Sequence, residues 1–159
     1  VNCEIIIKLL HIIILILLFV ATIINEQTMD LNIINSFLFH PRKSSQKIGE
    51  KDILIEVEEG VRVGFRFHPV SSSDPTILFF HGNGEIITDY DDIARVYNQK
   101  NINFIIADFR GYGFSNGIPN ADNTQSDAHI ILDYVLKHLK EKNYNGPLIL
   151  MGHTTADFH

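Results

Sequence analysis

The sequence predicts an α/β domain with a mostly parallel sheet, preceded by an antiparallel hairpin. Apolar and polar residues alternate over residues 53–67, a period of two that is typical of strands with one face in water. Three short continuous apolar runs, 77–80, 104–107 and 148–151, predict strands that are buried on both faces. Helical patterns separate these runs, and such alternation favours right-handed crossovers in a parallel sheet. The chain of 159 residues, 45% hydrophobic and 20% charged, has the composition of a folded domain.

Residues 5–24 are apolar except for Lys8, His11 and Thr22. About 20 apolar residues are enough for a helix to span a bilayer, so we expect a transmembrane anchor within residues 1–25. A cleaved secretory signal and a buried helix are the alternatives, although no clear small-residue cleavage site follows the apolar segment. The expected localisation is a membrane, through one N-terminal helix, or secretion if the segment is removed. The side of the membrane stays open, because basic residues flank the segment on both sides.

After the N-terminal segment, a linker and domain entry are predicted for residues 26–49. A partial α/β domain is then expected over residues 50–159. Within this domain the hairpin turns at Glu59 and Gly60 and ends in a polar turn at residues 71–75.

Two amphipathic helices are predicted between the apolar runs. In residues 86–97 apolar side chains recur at steps of three and four, with Thr88 and Asp91 spaced as a capping box. The second helix is expected to begin with Thr124 as its cap and to carry one apolar stripe over residues 128–139.

The first predicted site loop is His81-Gly82-Asn83-Gly84-Glu85, directly after an apolar run. Open parallel sheets bind ligands at the carboxyl ends of their strands, where this loop lies. Its two glycines allow backbone N–H groups to turn into the cleft and stabilise an oxyanion during acyl transfer. Glycine-rich loops also bind phosphate or simply form turns, although no lysine follows these glycines as a P-loop requires.

The second loop, residues 108–117, contains three glycines together with Asp108 and Arg110. We expect these two charged side chains to hold the loop backbone in shape rather than to act in catalysis. Ser115 in the same loop is flanked by Phe114 and Asn116, and we expect it to be a poor candidate for a nucleophile.

The third loop, Gly152-His153-Thr154-Thr155-Ala156, follows the last apolar run. A buried strand that leads into small and hydroxyl residues in this order is typical of a nucleophile elbow, G-x-S-x-G. Thr154 stands at the apex in place of serine, and Ala156 replaces the second glycine.

Together the three motifs resemble the α/β-hydrolase superfamily, and within it the serine hydrolases of the S33 peptidase or Bem46-like group. The resemblance covers about residues 37–154 and only the N-terminal portion of such a domain. The sheet is therefore expected to be truncated after the nucleophile-elbow strand. Many members of this group carry an N-terminal membrane anchor.

The resemblance implies cleavage of an ester, amide or thioester through an acyl-enzyme, without a cofactor or metal. Thr154 takes the nucleophile position, the oxyanion hole uses backbone N–H groups, and three further side chains support the site. The implied oxyanion donors are Gly82, Asn83 and Thr155, and the implied supporting residues are His81, Asp108 and Arg110. A threonine adds a methyl group at a strained backbone position, which hinders attack. The triad acid and histidine are expected well downstream, and Asp157 and His159 are too close, so the chain is expected to be catalytically incomplete.

The formal net charge of −6 and the lack of a basic cluster argue against a nucleic-acid partner. The expected partners are a small-molecule, peptide or lipid acyl substrate and a membrane, while the oligomeric state stays open. A non-catalytic α/β-hydrolase-like binding or scaffold module, in which Thr154 has replaced the nucleophile, is the alternative function. His68, His129 and His138 are expected to be ordinary surface residues.

Overall fold

The computed structural model describes residues 14–18, 20 and 33–153. Most of the predicted anchor at residues 5–24 lies outside these ranges, as do Thr154 and Thr155. Within them, no helix combines the length and apolar character needed to cross a bilayer. The chain divides into two compact units, Val1–Leu38 and Phe39–His159. In the first unit the described residues are helical, and the second contains the sheet.

The second unit is built on one mixed sheet of five strands. The strands are β1 Asp52–Glu58, β2 Val61–His68, β3 Thr76–Phe80, β4 Asn103–Ala107 and β5 Leu148–Gly152. Their order across the sheet is β1-β2-β4-β3-β5. β1 pairs antiparallel with β2, and β2 antiparallel with β4, whereas β3 runs parallel to both β4 and β5. The predicted α/β class, with an N-terminal hairpin joined to parallel strands, is confirmed.

Two helices and a single 3₁₀ turn connect the parallel strands. Their bounds are Ile87–Tyr90 for the 3₁₀ turn, Asp91–Asn98 for α1 and Ala121–Glu141 for α2. The predicted box of Thr88 and Asp91 is replaced by another contact, since the Ile86 N–H donates to Asp89 Oδ2 at 3.0 Å. The chain therefore enters a tight turn before α1 begins.

The prediction that Thr124 caps α2 is wrong by one turn. Asn120 is the cap: its Oδ1 accepts from the Asn123 N–H at 2.8 Å, and the Asn120 N–H donates to Asn123 Oδ1 at 2.9 Å. Asparagine is as good an N-cap as threonine, and the reciprocal pair satisfies two backbone donors, so α2 begins earlier.

Apolar side chains fill both faces of the sheet. On the α2 face the buried core includes Phe65, Phe67, Leu78, Ile105, Ile131 and Val135. On the α1 face it includes Ile77, Phe79, Ala94, Phe104 and Ile106. β3 and β4 thus have the two buried faces that their continuous apolar runs predict.

β5 differs from this prediction, because Ile149, Leu150 and Met151 are 45%, 57% and 42% exposed. The strand lies at the edge of the sheet and pairs with β3 on one side only. The apolar run predicts burial on both faces. The side chains are exposed because none of the described helices covers β5 in the way that α1 and α2 cover β3 and β4.

The hairpin also differs, since β2 has no wet face beyond its first two residues. Arg66 and His68 are 7% and 6% exposed, so the expectation that His68 is a surface residue is wrong. β2 pairs with a strand on each side, and α1 packs beside it. His138 is half-buried against the rings of Phe65 and Phe67, whereas His129 is exposed as predicted.

Candidate active site

The three predicted loops leave the sheet side by side. Phe80 is paired with Ala107 and with Gly152, so β3, β4 and β5 end in register. His81, Asp108 and His153 are the next residues along each strand. The structure therefore brings together the parts of the three motifs that it describes. The last described residue, His153, directly precedes Thr154 in the sequence.

His81 is fully buried beneath the first loop, with both ring nitrogens engaged. Nδ1 lies 2.8 Å from the Gly82 carbonyl oxygen, which can only accept, so Nδ1 carries the proton. Nε2 accepts from the Phe109 N–H at 3.4 Å and lies 3.4 Å from Asp108 Oδ1. This ring fastens the first loop to the second, and neither nitrogen is in position to take a proton from a nucleophile.

The Asn83 side chain holds the tip of the loop. Its Oδ1 accepts from the Tyr112 hydroxyl at 2.6 Å and from the His40 N–H at 2.9 Å. Its amide nitrogen lies 2.9 Å from His40 Nδ1. Gly84 follows with a φ of 78°, a left-handed conformation that glycine adopts without strain. Residues before the sheet and after β4 thus fix the loop from two sides.

Glu85 links the first loop to the elbow strand, which the sequence did not predict. Its Oε2 accepts from the Gly82 N–H at 2.6 Å and from the Tyr90 hydroxyl at 2.6 Å. The same oxygen lies 3.4 Å from Nδ1 of His153, the residue immediately before Thr154. The space is tight, because a Cβ on Gly82 would lie 2.7 Å from that His153 nitrogen. The sequence signal was the carboxylate three residues after Gly82, a spacing that suits a local turn.

Three groups keep the Glu85 carboxylate charged. Burial raises its pKa, but the hydrogen bonds from Tyr90 and Gly82 and the contact with His153 outweigh burial, so the pKa lies below its ordinary value. Burial and the neighbouring carboxylate together raise the pKa of Tyr90, which therefore remains a hydrogen-bond donor.

We expect the Glu85 contacts to make the fold acid-sensitive. The lowered pKa means that their stabilisation is complete above the ordinary value of 4.5 and is lost as pH falls through the folded-state value. Unfolding midpoints in denaturant, measured from pH 7 to pH 3, should fall less steeply for Glu85→Gln than for the unchanged chain. Glu59→Gln, at an exposed turn position, is the control and should follow the unchanged chain. Parallel curves for Glu85→Gln and the unchanged chain would contradict the assignment.

Asp108 shapes the second loop from within. It is fully buried, its Oδ1 accepts from the Ile87 N–H at 2.9 Å and its Oδ2 accepts from the Phe114 N–H at 3.1 Å. Nearby, the buried Ser115 accepts from the Gly64 N–H through Oγ at 2.9 Å. The Asp108 and Ser115 side chains therefore both accept hydrogen bonds from backbone N–H groups and stabilise the conformation of the backbone around the second loop.

Arg110 does not pair with Asp108, although the two were expected to act together. Its Nε and Nη2 donate to the two oxygens of Asp127 at 2.6 and 2.9 Å, and its Nη1 donates to Glu58 at 2.6 Å. These hydrogen bonds, Asp127 first, raise the pKa of the guanidinium despite its burial. Arg110 thereby fastens the second loop to α2 and β1.

No group of three or more potential metal ligands comes together among the residues that the structure describes. The chemistry available in that part of the chain is hydrogen bonding by backbone amides and the Glu85 carboxylate, around a strand end that leads to a hydroxyl residue.

Comparison with known proteins supports this arrangement. A family model described as serine aminopeptidase, S33, matches residues 71–155, more than half of the chain. Protein bem46 of Schizosaccharomyces pombe is 39% identical over 67 residues, which cover 42% of this chain and 22% of that protein. Human monoglyceride lipase is 28% identical over 119 residues, which cover 72% of this chain and 38% of the lipase. The chain thus spans well under half the length of these relatives.

Solved structures share the fold. A soluble variant of monoglyceride lipase from Saccharomyces cerevisiae superposes with a TM-score of 0.55 at 21% identity, covering 72% of this chain and 39% of the other. Est1E from Butyrivibrio proteoclasticus, with ferulic acid bound, gives 0.53 at 15% identity, covering 64% and 42%. At these sequence identities the structural comparisons establish only a shared fold. Membership of a family is established by the match to the sequence model. With the three motifs in register at one sheet edge, the chain belongs to the serine aminopeptidase S33 family of α/β-hydrolases.

Proposed function

We propose that this chain is the N-terminal, nucleophile-bearing part of a membrane-anchored hydrolase that cleaves an ester, amide or thioester through an acyl-enzyme. The observation that carries the proposal is the common end point of β3, β4 and β5, which sets the loop at residues 81–85 beside His153. Acyl transfer requires backbone donors close to the nucleophile, and this loop lies beside the strand end that leads to Thr154 in the sequence.

In this mechanism the Thr154 hydroxyl attacks the carbonyl carbon, and a histidine oriented by an acid takes its proton and passes it to the leaving alcohol, amine or thiol as the scissile bond breaks. Water then hydrolyses the acyl-enzyme with the same histidine as base and releases the carboxylic acid. The negative charge that develops on the carbonyl oxygen is stabilised by backbone N–H groups. The Gly82 N–H already donates to Glu85 at 2.6 Å, so we assign the two oxyanion donors to Asn83 and Thr155. His81, Asp108 and Arg110 hold the loops through the contacts described above.

We expect residues 1–159 on their own to lack hydrolase activity. Thr154 carries a methyl group that crowds the elbow, and Asp157 and His159 are too close in sequence to act as its acid and base. Esters are the favoured substrate class, because similar proteins include a monoglyceride lipase and an esterase. The apolar residues 5–24 support anchoring in a membrane, with secretion as the alternative.

Hydrolysis of p-nitrophenyl butyrate tests the proposal. The product of the complete open reading frame that encodes this sequence should hydrolyse the ester, and residues 1–159 should not. In the complete product, Thr154→Ala should abolish turnover and labelling by a fluorophosphonate. Thr154→Ser should raise kcat at least about tenfold, which corresponds to about 1.4 kcal/mol of barrier, because the methyl group is removed.

The second candidate function is a non-catalytic binding or scaffold module, which is supported by threonine instead of serine at position 154. The same variants distinguish this module from a hydrolase. If the complete product folds but neither hydrolyses the ester nor reacts with the probe, and Thr154→Ser does not restore either, the acyl-enzyme proposal fails. The binding or scaffold function would then remain.

A further inference from the structure

The second site loop contains a buried tyrosine, Tyr112, that does not belong to the acyl-transfer residues. Its side chain is 1% exposed, so it does not contact a substrate. The ring packs against His81 and Phe109, with centroids 5.2 and 6.1 Å away. The Tyr112 N–H donates to the Phe109 carbonyl oxygen at 3.1 Å, and the Tyr112 carbonyl oxygen accepts from the Ser115 N–H at 2.8 Å. The hydroxyl group is therefore held in a fixed position next to the first loop.

The Tyr112 hydroxyl joins the first loop to the segment that enters the domain. It donates to Asn83 Oδ1 at 2.6 Å, and its oxygen accepts from the His40 N–H at 2.9 Å. The same N–H lies 2.9 Å from Asn83 Oδ1. A backbone N–H can only donate, so the shared Asn83 atom is an acceptor and the hydroxyl proton points towards it. Burial raises the pKa of Tyr112 although the backbone N–H groups of His40 and Gly84 oppose the shift, so the hydroxyl keeps its proton at neutral pH.

Asn83 carries the one side chain between the two glycines of the first loop. Gly82 and Gly84 have no Cβ, so the sequence on either side of Asn83 restricts the backbone very little. Hydrogen bonds to Oδ1 fix the side-chain torsions of Asn83 and, through them, the direction of its Cα–Cβ bond. The orientation of the adjoining peptide groups follows, and one of these groups carries the N–H assigned as an oxyanion donor.

Arg42 also contacts the first loop, but from its solvent side. Its Nε donates to the Gly84 carbonyl oxygen at 3.1 Å, and its guanidinium forms an ion pair with Asp89. The Arg42 side chain is 51% exposed, and exposed pairs of this kind restrain their partners weakly. The buried Tyr112 ring, by contrast, presents its hydroxyl from a packed position. Tyr112 is therefore the stronger restraint on the orientation of Asn83.

We propose that Tyr112 is a positioning residue for acyl transfer, whose hydroxyl acts through the Asn83 side chain to orient the Asn83 N–H towards the oxyanion. This inference rests on the proposed function. A donor stabilises the oxyanion only when it is held close to its productive geometry. Loss of a whole donor lowers kcat by about 10²–10³-fold, so a donor that is present but misdirected should cost about 10–100-fold. The loss falls on kcat rather than KM, because the oxyanion develops only in the transition state.

The test uses Tyr112→Phe in the product of the complete open reading frame, because phenylalanine keeps the ring contacts and removes only the hydroxyl. With p-nitrophenyl butyrate as substrate, kcat should fall by about 10–100-fold while KM changes by less than about twofold. Tyr144→Phe is the matched control. The Tyr144 ring is half-buried against Phe67, in the segment that precedes the amino end of β5, so this variant should leave both constants unchanged.

A double-mutant cycle with Asn83→Ala shows whether Tyr112 acts through Asn83. The alanine variant keeps the backbone N–H but removes the contact with the hydroxyl, so it should lower kcat by a factor similar to that of Tyr112→Phe. In the Asn83→Ala background, Tyr112→Phe should then lower kcat no further. The proposal is overturned if the two effects on kcat are fully additive, or if Tyr112→Phe alone changes kcat by less than about twofold.

Hydrogen exchange of the same proteins separates this inference from the proposed function. In Tyr112→Phe the peptide that contains residues 81–85 should exchange at least about tenfold faster, whereas the peptide that contains β4 should not change. A complete product that hydrolyses no ester would refute the proposed function, and faster exchange at residues 81–85 would still establish that Tyr112 restrains the loop. Unchanged exchange in this loop would overturn the role of Tyr112, whether or not the ester is hydrolysed.

Discussion

Replacing Asp127 with alanine is expected to lower the free energy of unfolding by about 3–5 kcal/mol, the range for breaking a buried ion pair from one side. Asp127 is 1% exposed and Arg110 is 8% exposed, and they share two hydrogen bonds of 2.6 and 2.9 Å. Without Asp127 the guanidinium would stay buried with only Glu58, whose own side chain is 62% exposed. Urea unfolding followed by circular dichroism measures the loss.

Two further variants show whether the loss comes from the unpaired charge. The double substitution Arg110→Met with Asp127→Leu should be less destabilising than Asp127→Ala alone, since apolar residues of similar volume often replace a buried pair without penalty. Asp133→Ala, at an exposed position on the same helix, should change stability by less than about 0.5 kcal/mol. A double variant as unstable as Asp127→Ala would show that Arg110 is needed for packing and not only for charge balance.

Asp127 illustrates where sequence reasoning stopped. Arg110 was expected to act with its neighbour Asp108, and this expectation rests on proximity in sequence. The structure pairs Arg110 with Asp127, 17 residues further along the chain. The sequence predicted structural roles for Asp108 and Arg110, but it did not identify the partners of Arg110, because these depend on how α2 packs against the loop.

The strands were predictable for a related reason. Continuous apolar runs depend on local sequence, and β3, β4 and β5 all form where those runs lie. The burial of a strand depends on its neighbours, however. Leu150 is 57% exposed although it belongs to an apolar run, and His68 is 6% exposed although it alternates with apolar residues. Both differences follow from position in the sheet, at an edge for β5 and between two strands for β2.

At the candidate site the loops were predictable from glycine spacing and strand ends, but the role of Glu85 was not. The sequence analysis places Glu85 at the end of the first loop and gives it no role of its own. Its contact with His153 crosses from β3 to β5, and it exists only because these strands are neighbours in the sheet although they are far apart in sequence.

Gly113→Ala should destabilise the chain by about 4 kcal/mol, because two separate costs add. The residue has a φ of 47°, and a left-handed conformation costs a residue with a Cβ about 1–2 kcal/mol. A Cβ would also lie at most 2.8 Å from all three terminal atoms of the Asp108 carboxyl group. Asp108 would have to move away from Ile87 and Phe114, whose N–H groups it accepts, and each unpaired buried donor costs about 1–3 kcal/mol.

Gly60→Ala isolates the first cost, since Gly60 has a φ of 74° and an added Cβ would have no atom within 4 Å. It should lose only about 1 kcal/mol. The clash can be removed in turn: in an Asp108→Ala background, Gly113→Ala should cost no more than Gly60→Ala does in the unchanged chain. Equal effects of Gly113→Ala in the two backgrounds would mean that the glycine is required for its backbone angle alone. A large coupling between the two positions would instead establish that Gly113 leaves room for the carboxylate, and that this carboxylate holds the loop beside the candidate oxyanion site.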